Sequence, residues 1–297
     1  MAGPVSVLPP LEHPPSRPRL TPLSLAVFPR LATAALDLVF PALCAVCEAR
    51  LGPRRRDPLC GPCWDAIARI VPPYCDRCGV PMPMREPPES SELGACRSSR
   101  GSSAGFARAT LPWGGSEGPP PPAVCTACVA DGPAYDYSRS AAVYGGVLRE
   151  ALHRLKFGGR RALARPLADL AVEQCGPSLP DGIAAIVPVP LAADRERERG
   201  FNQAALLAER VAQGLALPVR ARWLARGRAT RPQSDLPAAE RSANVRGAFR
   251  AAPAVAGRHV LLVDDVLTTG ATLAECARAL RAAGADRIGA LTVARVR

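Results

Sequence analysis

Eight cysteines stand in four Cys-x-x-Cys pairs: Cys44/Cys47, Cys60/Cys63, Cys75/Cys78 and Cys125/Cys128. Two thiolates separated by two residues on a tight turn both reach one tetrahedral Zn²⁺, at about 2.3 Å. Four pairs supply two Cys₄ sites of the closed, structural kind, which stabilise folding and do no chemistry. Sequential pairing is the simplest assignment: Cys44, Cys47, Cys60 and Cys63 on one ion, Cys75, Cys78, Cys125 and Cys128 on the other. Cross-bracing, pairs one with three and two with four, is the alternative. A disulfide framework would need an oxidising compartment and leaves the uniform spacing unexplained. Cys96, Cys175 and Cys276 fall outside the pattern as unpaired thiols.

A second chemistry sits near the C-terminus. His259-Val-Leu-Leu-Val-Asp264-Asp265-Val-Leu-Thr268-Thr269-Gly270-Ala-Thr272 reads as a strand, paired acids, a polar loop and a helix start. Backbone N–H groups and the hydroxyls of Thr268, Thr269 and Thr272 at a helix N-terminus favour a phosphate, and Gly270 permits close backbone approach. Asp264 and Asp265 suit two vicinal sugar hydroxyls or Mg²⁺. Together these groups suit a ribose 5-phosphate. No G-x-x-x-x-G-K-[ST] stretch accompanies them, which excludes a P-loop nucleoside triphosphatase.

The elements that must position these groups follow from the patterning after Tyr135. Strands are predicted over 135–144, Ile183–Val187, Val219–Leu224, Val260–Val263 and Ile288–Ala294, and helices over 146–156, 161–174, Asn202–Leu215 and Leu273–Ala283. Strand and helix alternating at this spacing imply an α/β fold, a mostly parallel sheet with helices on both faces. Ligands bind beyond the carboxyl ends of such strands. The three domains expected are a Pro-rich disordered tail over 1–22, a cysteine-bearing double zinc ribbon over 23–134 and the α/β domain over 135–297. The ribbon region is expected to open with a short amphipathic helix near 23–40. Of the 46 residues between Cys78 and Cys125, 23 are Pro, Gly or Ser, so about 80–122 reads as a flexible insertion.

Composition narrows the partners. The 297 residues carry 38 basic and 26 acidic side chains, a net +12 that favours anionic ligands. Residues 1–134 hold +2 of this charge and 135–297 hold +10. All basic residues but Lys156 are arginine. That singles out Lys156 as a site for a compact ammonium, with survival of a composition bias as the plain alternative. The apolar stretch Leu20–Leu43 contains Arg30, Asp37 and three prolines, so no membrane span is expected. Pro22 and Pro29 break a signal-peptide reading, which points to a cytoplasmic protein.

The strand-DDVLTTGAT element resembles the phosphoribosyl-pyrophosphate loop of type I phosphoribosyltransferases. With the cysteine pairs, Lys156-Phe157-Gly158, Val187-Pro-Val-Pro-Leu191, Arg199-Gly-Phe-Asn-Gln203 and Asn244-Val-Arg-Gly-Ala-Phe249, the chain is similar to the ComF family of competence-associated proteins from about residue 35 to 297. The long insertion after Cys78 departs from the family pattern. The resemblance implies a type I phosphoribosyltransferase-like fold behind a double zinc ribbon. It also implies a ribose 5-phosphate site at Asp264, Asp265, Thr268, Thr269, Gly270 and Thr272, with phosphoribosyl pyrophosphate and Mg²⁺ as ligands. Arg195, Arg199 and Asn202 would occupy the pyrophosphate-loop position, and Thr230, Gln233, Arg241 and Asn244 the flexible loop.

Phosphoribosyl transfer displaces pyrophosphate through a cation-like transition state, so positive charge must neutralise the leaving group. Arg195, Arg199 and Lys156 are the catalytic candidates; His153 and His259 are weaker ones, and no general base for a nucleobase stands out. Three functions remain open: transfer of phosphoribose to an unidentified acceptor in nucleotide metabolism, an accessory role in DNA uptake with single-stranded DNA or processing proteins as partners, and a zinc-ribbon adaptor with a silent transferase domain.

Overall fold

The structure is a computed structural model that describes residues 42–52, 57–83, 123–228 and 238–296. The expected tail, the expected helix over 23–40 and residues 84–122 of the insertion lie outside the described residues. Among its described residues the cysteine-bearing segment has two short helices, α1 (Gly61–Asp65) and α2 (Thr126–Ala130), each starting directly after a cysteine in extended conformation.

From Tyr137 the chain alternates strands and helices: β1 (Tyr137–Val143), α3 (Gly146–Phe157), α4 (Ala164–Cys175), β2 (Ala185–Pro188), α5 (Ala193–Arg199), α6 (Gln203–Leu215), β3 (Leu224–Arg226), α7 (Ala238–Val245), β4 (Phe249–Ala251), β5 (His259–Leu267), α8 (Ala271–Ala282) and β6 (Arg287–Arg295). A four-stranded sheet in the order β1-β6-β5-β2 is parallel throughout, and β3 and β4 form a separate antiparallel pair. Alternation along β5 feeds two cores. Leu261 and Val263 join α3, α4 and α6 on one face, while Val260 and Leu262 join α8 and β4 on the other. The sheet is therefore covered on both faces, as parallel strands require.

The order of the strands creates a crevice. After β2 the chain runs outward, to a parallel bridge of Val219 with Ile186, whereas after β5 it crosses through α8 to β6 on the other side. The carboxyl ends of β2 and β5 thus flank the point where the winding reverses. At the opposite edge, β1 is not bare. Ile70 donates its N–H to the Ala141 carbonyl (2.9 Å), and Val143 donates to Ala68 (2.8 Å), so residues 68–70 pair with it in antiparallel sense.

Three expectations need correction. The segment after β2 is a helix, α5, whose sequence Ala193-Asp-Arg-Glu-Arg-Glu-Arg199 has acids in its first turn and arginines in its last, matching the helix dipole; it stops at Gly200, which takes φ 76°. The strand expected over Val219–Leu224 shrinks to the Val219 bridge, a 3₁₀ turn over Ala221–Trp223 and the three-residue β3. The strand expected over Val260–Val263 extends to Leu267, so the paired acids lie within β5, not after it.

Candidate functional site

Because Asp264 and Asp265 are successive residues of an extended strand, their side chains leave on opposite faces. Asp265 follows Leu261 and Val263 toward α3, is 4% exposed, and meets the Lys156 ammonium at the last turn of α3 in a direct ion pair. Burial alone would raise this carboxyl, but the lysine outweighs it and holds Asp265 below the usual carboxylate range. Burial likewise opposes the charge on Lys156, and Asp265 prevails, holding the ammonium above its ordinary value. Asp264 is half-buried and accepts the backbone N–H of Asp265 at 2.8 Å. Burial, then the charge of Asp265 beside it, pushes Asp264 well above the carboxylate range. The two neighbouring acids are thus pushed in opposite directions, Asp265 down and Asp264 up.

Both carboxylates open into one cavity of about 880 Å³ at the switch point. Its walls come from Lys156 and Phe157 of α3, Val189–Leu191 after β2, Arg195 and Arg199 of α5, Gln203 of α6, and residues 264–273. Thr268 and Thr269 are exposed, and Gly270, at φ 79°, turns the chain into α8, whose first N–H groups have no partner within the helix, that of Ala271 donating instead to Oγ1 of Thr269 at 3.4 Å. Arg226, from β3, adds a fourth cation. Four positive side chains thus face two carboxyl groups, so the cavity favours an anion. The guanidinium Nη2 of Arg195 is buried and makes no hydrogen bond. Burial chiefly, with the charge of Arg195 behind it, lowers the pKa of both Arg199 and Arg226. A polyanion would relieve that crowding.

The predicted residues divide clearly. Lys156, Arg195, Arg199, Asp264, Asp265, Thr268, Thr269, Gly270 and Thr272 all line this cavity. Asn202 does not: it caps α6, accepting the Ala204 N–H at 3.0 Å and donating to the Val189 carbonyl at 3.1 Å. That clamp fixes the loop after β2. Thr230 and Gln233 lie outside the described residues, as does the side chain of Arg241 on α7. Asn244 does not line the cavity; its carbonyl accepts from Arg228 at 3.1 Å. His259 sits at the start of β5, away from the cavity, paired with the Tyr137 hydroxyl at 2.9 Å; burial lowers its pKa. Sequence reading missed Gln203, whose Oε1 accepts from Arg199 and which is 7% exposed, and Arg226. Gln203 stood in a noticed motif; Arg226 had no signal, because β3 is too short to read.

The cysteines come together in sequential pairs, not cross-braced. Cys44, Cys47, Cys60 and Cys63 form one group and Cys75, Cys78, Cys125 and Cys128 the other, each with its four Sγ atoms within 4.8 Å of one another. A tetrahedron at zinc–sulfur distances has edges of about 3.8 Å. The cross-pair separations of 3.5 Å for Cys47–Cys60 and 3.7 Å for Cys78–Cys125 match it, so both groups fit Zn²⁺. Burial pushes up the Cys44 and Cys75 thiols, yet backbone N–H donors outweigh it and lower both to about 6. None of the ten described cysteines forms a disulfide. The first cluster is part of the protein core, with Cys44, Cys63 and Ile67 packed among the side chains of α3 and α4. The second is tied to the sheet: Cys78 offers its carbonyl to Arg295 (2.6 Å) and Ser138 (2.8 Å).

The double zinc ribbon domain family matches residues 35–97, and the phosphoribosyl transferase domain family matches residues 201–297. The DNA utilization protein YhgH of Salmonella typhimurium is 34% identical over 258 residues, covering 84% of this chain and 96% of that protein. The chain belongs to the ComF/YhgH family of competence and DNA-utilisation proteins. Competence protein F of Haemophilus influenzae is 35% identical over 182 residues, 58% of this chain and 78% of its own. Competence protein ComFC of Bacillus subtilis is 30% identical over 164 residues, 53% and 66% respectively. Among solved structures, glutamine phosphoribosylpyrophosphate amidotransferase from B. subtilis is similar at 19% identity and a TM-score of 0.34, over 47% of this chain and 30% of that one. The ComF/YhgH chain thus has a phosphoribosyltransferase-like α/β fold behind a double zinc ribbon. Among the described residues no helix is long and apolar enough to cross a membrane.

Proposed function

We propose that the switch-point cavity binds phosphoribosyl pyrophosphate or a related ribose 5-phosphate. The observation that carries this reading is the convergence, in one cavity, of the Thr268–Thr272 turn, the Asp264/Asp265 pair and four cations. The turn suits the 5-phosphate through backbone N–H groups and threonine hydroxyls. Asp264 and Asp265 suit the ribose hydroxyls or a Mg²⁺ carried with the ligand, which would share the charge of the departing pyrophosphate. Arg195, Arg199 and Arg226 suit the pyrophosphate, and Lys156 keeps Asp265 ionised and in place. This equipment suits a glycosyl-transfer enzyme of the phosphoribosyltransferase class, working in nucleotide metabolism or DNA uptake; the relatives' names, DNA utilization protein and competence protein, support the second setting.

Calorimetry on zinc-loaded protein with phosphoribosyl pyrophosphate and Mg²⁺ tests it. Binding in the micromolar range is expected for the wild type and none for Asp264→Asn/Asp265→Asn. A folded, zinc-loaded wild type that binds nothing would sink the proposal and leave the ribbons as the working part of the molecule.

A further inference from the structure

The phosphate-binding turn has a second side. Residues 267–271 border the switch-point cavity and also a separate one of about 840 Å³, whose far wall includes Cys78 and Cys128 of the second cysteine cluster. None of the four cysteines of the first cluster lines either cavity. Buried Tyr135, shortly after Cys128 in the chain, brings its hydroxyl to 3.4 Å from where a Cβ on Gly270 would stand.

Arg295 makes the firmer connection. It ends β6 in register with Leu267 of β5, and the next residue, Val296, donates its N–H to the Leu267 carbonyl at 2.9 Å. The side chain reaches the other way. Its Nη1 donates to the Cys78 carbonyl at 2.6 Å, its Nη2 stands 3.8 Å from the Cys78 Sγ, and its Nε is buried without a hydrogen bond. The guanidinium is thus held by the ribbon, while the backbone of the same residue is paired with the strand that leads into the turn. Four thiolates around one Zn²⁺ carry two surplus negative charges, so a loaded cluster attracts this guanidinium and an emptied, protonated one does not. We infer that Arg295 is a positioning residue coupling the second cysteine cluster to residues 267–271, so that metal in the cluster and a phosphate on the turn each strengthen the binding of the other. This coupling presupposes the ribose-phosphate reading of the switch-point cavity and adds a control on it from the ribbon. By linkage it is reciprocal, and couplings of this kind commonly amount to about 5- to 150-fold in affinity.

Zinc-loaded protein equilibrated against a graded series of a zinc-selective chelator tests it, with and without phosphoribosyl pyrophosphate and Mg²⁺. Alkylation and peptide mass spectrometry then read which cysteines have been freed. In the wild type the ligand is expected to raise the chelator concentration that frees half of Cys75, Cys78, Cys125 and Cys128 by about fivefold or more. Arg295→Gln, checked for two zinc ions per chain and compared at equal ligand saturation, should bring that factor to within about twofold of unity. Its first cluster should respond to ligand as in the wild type, because stabilisation of the whole fold depends on saturation alone. Protection of the second cluster that persists in Arg295→Gln is general stabilisation and overturns the role of Arg295. Wild type needs no variant to be informative: ligand that binds by calorimetry yet leaves the second cluster unprotected overturns the coupling and spares the ribose-phosphate reading. Absence of binding overturns both.

Discussion

Replacing Lys156 by methionine keeps the aliphatic stem and removes the charge that neutralises a carboxylate only 4% exposed. Stripping one partner from a buried ion pair costs about 3–5 kcal/mol. The loss here has a ceiling, because Asp265 can instead take up a proton in the folded variant. From an ordinary carboxylate value of about 3.9, at about 1.4 kcal/mol per pH unit, that protonation costs about 4 kcal/mol at pH 7 and about 3 kcal/mol at pH 6. The sign follows from linkage. In the wild type Asp265 is depressed, so its stabilisation is fully present above the unfolded value and is lost only as pH falls through the lowered folded value. In the variant the folded value is raised, and stability falls as pH climbs from the unfolded value toward it. The difference between the two proteins should therefore widen by about 1.4 kcal/mol per pH unit from pH 5.5 to 7. Urea unfolding of both proteins with zinc saturating measures this directly, and Lys156→Met/Asp265→Asn should abolish the widening. A difference below about 1 kcal/mol at pH 7, or one that does not change with pH, would refute the assignment of Lys156 as the counter-ion.

Other consequences are equally testable. Asp264 carries a raised pKa, so a ligand that needs it ionised must displace a proton; affinity for Mg²⁺ with phosphoribosyl pyrophosphate should rise with pH, and the calorimetric heat should vary with the ionisation enthalpy of the buffer. A Cβ at Gly289 would lie 2.2 Å from Cζ of Tyr137, so Gly289→Ala should destabilise the protein by about 2–3 kcal/mol in denaturant titration, through a forced shift of the ring that bonds His259. Cys44→Ser, which opens the cluster packed in the main core, should lower the melting temperature more than Cys125→Ser, whose cluster packs chiefly on its own ribbon.

The parts legible in sequence were those that a local rule specifies. Four equal cysteine spacings dictate two tetrahedral sites, and a run such as Val260–Val263, flanked by acids and a glycine turn, dictates a buried parallel strand and the phosphate-shaped loop after it. The pairing order of the cysteines needed the fold, because spacing within a pair says nothing about which pair it meets. Asn202 misled because its two roles share one residue type: an amide suited to an anion is equally suited to capping α6, and the cap won. Helix α5 was hidden by its composition, since Asp-Arg-Glu-Arg-Glu-Arg has no apolar face and is held by charge placement and Gly200. Arg226 and Phe157 come to the cavity from separate elements, through contacts distant in the chain, and no window of sequence holds them together with Asp265.

The antiparallel pairing of residues 68–70 with β1 has a consequence for the behaviour of the chain in a cell. That segment lies in the chain between the two cysteine clusters, and closing them limits how far it can leave β1, beside the hold of buried Ile67 and Ile70. Removing the metal would release the strip and present a bare row of N–H and C=O groups on β1, which any passing extended chain can adopt as a template. Zinc removal is then expected to change colloidal behaviour as well as folding. Metal-starved protein should self-associate edge to edge before the helices of the α/β domain melt, and turbidity should precede loss of helical signal when a chelator is added.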